Sequence, residues 1–256
     1  MPTASRIVVL TVPSPHAWIV INAIVAKFGP VTILAEDPQP RSELIRRRIR
    51  RQGLFAVAGQ IGFIVLRNVL DRFNGRRVKE IVSEYGLNPR PNPACTVIPV
   101  ESVNSDLCRA QLRRLDPKVV YVQGTRIIGH ETLGCVPAPF INYHAGLTPK
   151  YRGQAGGYWA LAMGDPDHAG VTVHLVDEGV DTGGILYQAP FTATHRDDFL
   201  TYFYLQAAVA RGLVRRALED GLVGKLKPQA STLPSQQFYH PTLWFYLQTA
   251  LTKGVW

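Results

Sequence analysis

Apolar residues along this chain fall into two periodicities. Short, nearly continuous runs at 7–12, 31–34, 96–100, 119–122, 140–144, 171–176 and 185–191 have the length and composition of strands. Between the first two, Trp18, Ile19, Ile21, Ile24, Val25 and Phe28 recur at helical spacing until Gly29-Pro30 stops them. A strand–helix–strand opening predicts a parallel α/β sheet. Asn104 or Ser105 is placed to cap a helix running through Arg114, and Asp197 or Asp198 one from Phe199 to Leu218. The first strand-to-helix turn, Thr11-Val-Pro-Ser-Pro-His16, has two prolines and no glycine. It is a poor cradle for a phosphate, which needs free backbone N–H groups.

One segment does not fit the alternation. Residues 41–51 are Arg-Ser-Glu-Leu-Ile-Arg-Arg-Arg-Ile-Arg-Arg. An apolar stretch follows at 54–66, then Arg67, Arg72, Arg76 and Arg77. The spacing predicts helices, broken near Gly53 and loosened at Gly59 and Gly62. We read residues 41–90 as a basic helical insertion, with a helical pair packed on the sheet edge and its arginines in solvent. A basic amphipathic element on an anionic membrane is the alternative. The chain then divides into a catalytic-type unit, 1–195, and an extension, 196–256. The aromatic tail Phe238-Tyr-His-Pro-Thr-Leu-Trp-Phe-Tyr246 is read as a cover over the core or a homodimer contact.

Composition narrows the class. With 256 residues, 46% hydrophobic and 18% charged, the chain is globular rather than disordered. The start, Met-Pro-Thr-Ala-Ser-Arg, leads into an apolar run that Pro13 and Pro15 end, so no secretory leader is expected. Cys95, Cys108 and Cys135 have no Cys-x-x-Cys spacing, so reduced thiols and a cytoplasmic location are expected. The formal net charge of +9 suits solubility or an anionic partner. No His, Cys and carboxylate cluster has metal-ligand spacing, so no metal is expected.

The chemistry concentrates in 140–188. In a strand, residues two apart share a face, so Asn142 and His144 project together. Asp181 lies in the loop Asp177-Glu-Gly-Val-Asp-Thr-Gly-Gly between two apolar runs. An amide donor, an imidazole and a carboxylate at strand ends suit a carbonyl reaction. Amide and imidazolium would stabilise an oxyanion, and the carboxylate would hold the ring charged and oriented. His130, His168 and His195 need no catalytic role, His174 is assigned a supporting one, and His16 is a candidate to face substrate.

The full pattern is Asn142-x-His144-x-x-Leu-x-Pro-x-Tyr151-Arg152-Gly153, then Trp159-Ala-Leu-Ala-Met-Gly164-Asp165, Gly170-Val-Thr-Val-His174 and Asp177-x-Gly-x-Asp181-Thr-Gly. It resembles the catalytic core of the folate-dependent formyltransferases, which act on glycinamide ribonucleotide, methionyl-tRNA or amino sugars. The match is dense over about 96–190. The resemblance implies a Rossmann-like, mostly parallel sheet flanked by helices, the formyltransferase fold. It implies N10-formyltetrahydrofolate as formyl donor and Asn142, His144 and Asp181 as catalytic residues. Arg126, Ile127 and Ile128 would form one wall of a folate pocket, and Val176, Asp177, Gly179 and Val180 the other. Tyr151, Arg152 and Gly153 would close on the acceptor amine. The glycine-free first turn argues against glycinamide ribonucleotide, and a tail unlike the methionyl-tRNA enzymes' β-barrel argues against tRNA. No DNA is expected. The acceptor expected is a small amine, foremost an amino sugar on a nucleotide, with a non-sugar amine as alternative. A non-catalytic protein that keeps the fold and binds anions or a membrane surface is the other reading.

Overall fold

The structure, a computed structural model, describes residues 6–256; the first five, where a leader was looked for, lie outside the described residues. In chain order the elements are β1 (Ile7–Thr11), α1 (Pro15–Phe28), β2 (Thr32–Glu36), α2 (Arg41–Gln52), α3 (Leu54–Leu70) and α4 (Gly75–Glu84). Then come β3 (Thr96–Val100), α5 (Asp106–Leu115), β4 (Val119–Gln123), α6 (His130–Leu133) and β5 (Phe140–His144). They are followed by β6 (Arg152–Gly153), α7 (Gly156–Ala162), β7 (Gly170–Leu175), β8 (Ile185–Pro190), α8 (Phe199–Leu222), β9 (Gln237–Phe238) and α9 (Leu243–Lys253).

Seven strands form one sheet in the order β3-β2-β1-β4-β5-β7-β8. The first five are parallel, β7 runs antiparallel to β5, and β8 is antiparallel to β7. Strands β1, β2 and β4 are buried almost throughout, which is why they read as continuous apolar runs. Chain order reverses between β1 and β4, so the crevice beyond their C-terminal ends is the expected ligand position of an open α/β sheet. One core contains α1 and α8 together with β1, β4, β5 and β7; a second, on the other sheet face, is closed by α5.

The caps follow the sequence. Ser105 Oγ accepts from Cys108 N, and Asp198 forms a reciprocal capping box with Thr201. Ser14 Oγ accepts from Ala17 N at 3.2 Å, so α1 caps itself at the glycine-free turn.

Residues 41–84 depart from expectation. They fold as three helices, and these do not cover the sheet edge, where Thr96, Val97 and Pro99 of β3 remain exposed. Instead α3 packs on α9 and α4 on α8. Gly59 does not loosen α3. A Cβ there would come within 2.3 Å of the Trp244 ring, so glycine is what lets α9 approach. Phe63 anchors this layer, with no exposed surface and edge-on contacts of 4.9 Å to both Phe199 and Tyr246. The tail is therefore a cover over the core. Its strand β9 pairs with β6, and Trp159 packs against Phe238 and Phe245.

Candidate active site

Strand β5 carries Asn142 and His144 to its C-terminal end. Antiparallel β7 then sets His174 opposite Asn142 and Thr172 opposite His144. The loop after β7 returns with Asp181 in a left-handed conformation, φ 51°. Asn142, His144 and Asp181 do meet. His144 Nδ1 is 3.4 Å from Asp181 Oδ2, and Asn142 Nδ2 is 3.4 Å from Asp181 Oδ1.

Supporting contacts fix the donors. His174 Nδ1 donates to the Leu175 carbonyl at 2.7 Å, which leaves Nε2 to accept from the Asn142 amide at 3.0 Å. His144 is buried and directs Nε2 to the Tyr151 carbonyl at 2.8 Å. With Asp181 facing its other nitrogen, the ring has an oxygen acceptor on each side. That arrangement is fully satisfied only when both nitrogens carry protons. Asp181 Oδ2 also accepts from the Gly153 N–H at 2.9 Å. Burial pushes the Asp181 carboxyl up, but the His144 charge and the Gly153 N–H outweigh it and hold the group well below the usual carboxylate range.

The 151–153 triplet was expected to touch the acceptor; within the chain each of its residues has a partner. The Tyr151 side chain is buried, its hydroxyl donating to Asp165 Oδ2 at 2.7 Å. Arg152 donates to the Val180 carbonyl at 2.6 Å and to Ser235 Oγ at 2.9 Å. Gly153 has φ 91°, and a Cβ on it would lie 2.3 Å from the Phe238 carbonyl. The triplet thus holds His144 and Asp181 through a carbonyl and an N–H. Sequence reading missed this backbone role, and missed that β9 straps the triplet down. The lone signal was a glycine next to two large side chains.

The two expected pocket walls do approach each other. His130 Nδ1, on α6, lies 2.8 Å from Glu178 Oε1 on the Asp181 loop. Within the first wall only Ile127 is open to solvent. Ile128 belongs to the core, and the Arg126 guanidinium turns to buried Glu36, at 2.5 Å, and to the carbonyls of Asp37 and Glu101. Glu36 Oε2 also accepts the Arg126 N–H at 2.9 Å, so this arginine fixes the path of its own loop. In the second wall Val176 packs on the α5-side core. Asp177 accepts from Thr182 Oγ1 and Gly179 N, a self-contained turn, and the Val180 carbonyl receives Arg152. His16 stacks on Phe203, with no contact to the triad. Among the described residues no group of three or more His, Cys, Asp or Glu is placed to hold a metal ion.

This fold is shared with solved structures. A sugar N-formyltransferase from Shewanella superposes with a TM-score of 0.57 at 18% identity, over 92% of this chain and 77% of that one. An N-formyltransferase from Helicobacter canadensis, solved with folinic acid and dTDP-3-aminofucose, gives 0.56 at 15% identity, over 91% and 70%. In sequence, a methionyl-tRNA formyltransferase from Koribacter versatilis is 41% identical over 100 residues, 39% of this chain and 32% of the relative. The chain spans about a third to a half of the length of the curated relatives it matches. The model of the formyl transferase family matches residues 78–209, just over half of the sequence and the stretch that holds Asn142, His144 and Asp181. The chain belongs to the formyl transferase family.

Proposed function

We propose that this protein transfers a formyl group from N10-formyltetrahydrofolate to the amine of a small acceptor, foremost an amino sugar carried on a nucleotide. The observation that carries the reading is the convergence of Asn142, His144 and Asp181. Their mutual contacts of 3.4 Å are long for hydrogen bonds, so both donors remain available to a nearer acceptor.

In this reading the formyl oxygen lies against the Asn142 amide and the His144 ring. The neutral amine attacks the formyl carbon, and the new C–N bond forms as the carbonyl electrons move to oxygen. Asn142 and imidazolium His144 stabilise that oxyanion. Asp181, kept ionised, takes the proton that the attacking nitrogen releases. Collapse of the intermediate breaks the bond to N10 of the folate, which receives the proton. His174 fixes the amide, and the Tyr151 carbonyl fixes the imidazole.

For the donor, support comes from family membership and from a relative of like fold solved with folinic acid. For the acceptor, it comes from the sugar-acting enzymes of like fold and from the self-capped α1, which offers glycinamide ribonucleotide no free N–H cradle. We also place the reaction in the cytoplasm. The test is calorimetric titration with 5-formyltetrahydrofolate, followed by formylation assays on amino-sugar nucleotides, other small amines, glycinamide ribonucleotide and methionyl-tRNA. Asn142→Ala should lower turnover roughly 10²–10³-fold with folding intact. Unchanged turnover defeats the assignment of Asn142, and a preference for methionyl-tRNA replaces the acceptor.

A further inference from the structure

The outward stripe of α3 is apolar. Leu54, Ala58, Ile61, Val65, Val69 and Phe73 follow helical spacing on its exposed side, with Leu54, Val65 and Phe73 at 69%, 60% and 78% exposure. The 17-residue helix makes this ridge about 25 Å long. At its start Phe55 stacks on Trp244 at 4.3 Å, which joins the ridge to a second exposed stripe on α9, Trp244, Leu247 and Leu251. A soluble helix ordinarily turns such a stripe inward.

Up to its last turn, the ridge runs through sequence of one charge sign. Residues 44–70 hold no Asp or Glu, and neither do residues 221–256. Arg50 and Arg51 precede Leu54, and Arg46 and Arg47 stand one turn back on α2. All four are exposed, and none has an acidic partner among the described residues. At the other end, Phe73 borders a cleft of about 920 Å³ walled by Arg72, Arg76, Arg77, Lys79 and Arg196, where Glu80 and Glu84 answer part of the charge.

We propose that the α3–α9 face lies on the surface of an anionic phospholipid bilayer. The ridge with Trp244 would enter the headgroup boundary, and the unpaired arginines at its start, with Arg72 at its far end, would meet lipid phosphates. A second copy of the chain is the poorer occupant, because a two-fold contact through this face would oppose its unpaired arginines. Nucleic acid would use the arginines and leave the ridge in water. No single described helix is long and apolar enough to cross a membrane; only α3 and α4 taken together, bent by 74°, reach that length and composition.

The test is flotation of the full chain with phosphatidylcholine vesicles, with and without phosphatidylglycerol, while Trp fluorescence is recorded. The expected result is binding to the phosphatidylglycerol vesicles, weakened by salt, with a blue shift absent with phosphatidylcholine alone. Leu54→Ser and Phe73→Ser change exposed side chains, so folding should hold, and each should weaken binding about tenfold. Arg50→Gln with Arg51→Gln should remove much of the phosphatidylglycerol preference while leaving thermal stability unchanged. No binding to anionic vesicles by a folded protein overturns the proposal. So does a dimer in sedimentation that Phe73→Ser dissociates, or binding to RNA in place of vesicles.

Discussion

At the end of β5 a half-buried carboxylate meets two buried imidazoles, and every one of them has partners: Asp181 with His144, His174 and the Gly153 N–H, His144 with the Tyr151 carbonyl. On α3 and α9 the reverse holds, with Phe55, Phe73, Leu251 and Trp244 in water. Both regions break the rule of polar outside and apolar inside. In the first, the cost of burying charge is offset by complementary charge and hydrogen bonds, which a site for carbonyl chemistry requires. In the second, none of the described residues covers the apolar surface. Buried polar groups with partners point to chemistry, whereas exposed apolar groups point to a surface outside the molecule.

The largest effect expected is at the site. Asp181→Asn removes the charge that His144 and His174 face, and turnover should fall on the order of 10³-fold. The same pair tests linkage. Because the folded carboxyl titrates below its unfolded value, its contribution to stability is full above about pH 4 and is lost as pH falls further. The wild-type advantage in thermal midpoint over Asp181→Asn should therefore persist at neutral pH and shrink in acid.

Two phenylalanines on either side of the helical layer sharpen the contrast. Phe63 is fully buried between Phe199 and Tyr246, and Phe63→Ala should cost about 3–5 kcal/mol in urea unfolding. Phe73, ten residues on, is 78% exposed, and Phe73→Ser should change stability by under about 0.5 kcal/mol. Equal losses would mean that the ridge packs on something within the chain.

Acid should separate the regions as well. Burial, with Arg67 nearby, lowers His16 to about 4. Burial, with Arg48 and Arg67, lowers His240 to about 3. In the unfolded chain both would take protons near pH 6.5, so stability falls as pH drops from there towards 3–4. At pH 5 each costs about 2 kcal/mol relative to pH 7. His240→Phe should flatten that slope, read as urea midpoints at pH 7 and pH 5, and an unaltered slope would rule out His240 as its source. The helical layer should thus weaken at a pH where Asp181 is still ionised.

Much of the sheet was legible because each strand signal is local. The runs at 7–12, 119–122 and 140–144 became β1, β4 and β5 with ends shifted by no more than a residue. Asn142 and His144 were readable as neighbours because strand geometry puts residues two apart on one face. The assignment of His174 to a supporting role agrees with its place opposite Asn142, but only the antiparallel register of β7 put it there. Tyr151, Arg152 and Gly153 were read as substrate contacts because side chains are what a sequence displays. The structure adds that the Tyr151 carbonyl and the Gly153 N–H reach His144 and Asp181, through backbone groups that every residue has.

The sequence by itself determined the alternating α/β layout, the caps at Ser105 and Asp198, the basic character of residues 41–51 and the pairing of Asn142 with His144 on one strand face. Each of these rests on short-range periodicity, on side-chain chemistry or on a dense local motif. Tertiary structure alone decided which surfaces were left over. Helical spacing shows that α3 is apolar on more than one side, but not which side finds a partner. Gly59 settles that by letting Trp244 close on one face, and the other face, from Leu54 to Phe73, is left to the solvent. Burial is a property of pairs of elements far apart in the chain, and so is the strap of β9 across β6 that holds Gly153 against Asp181.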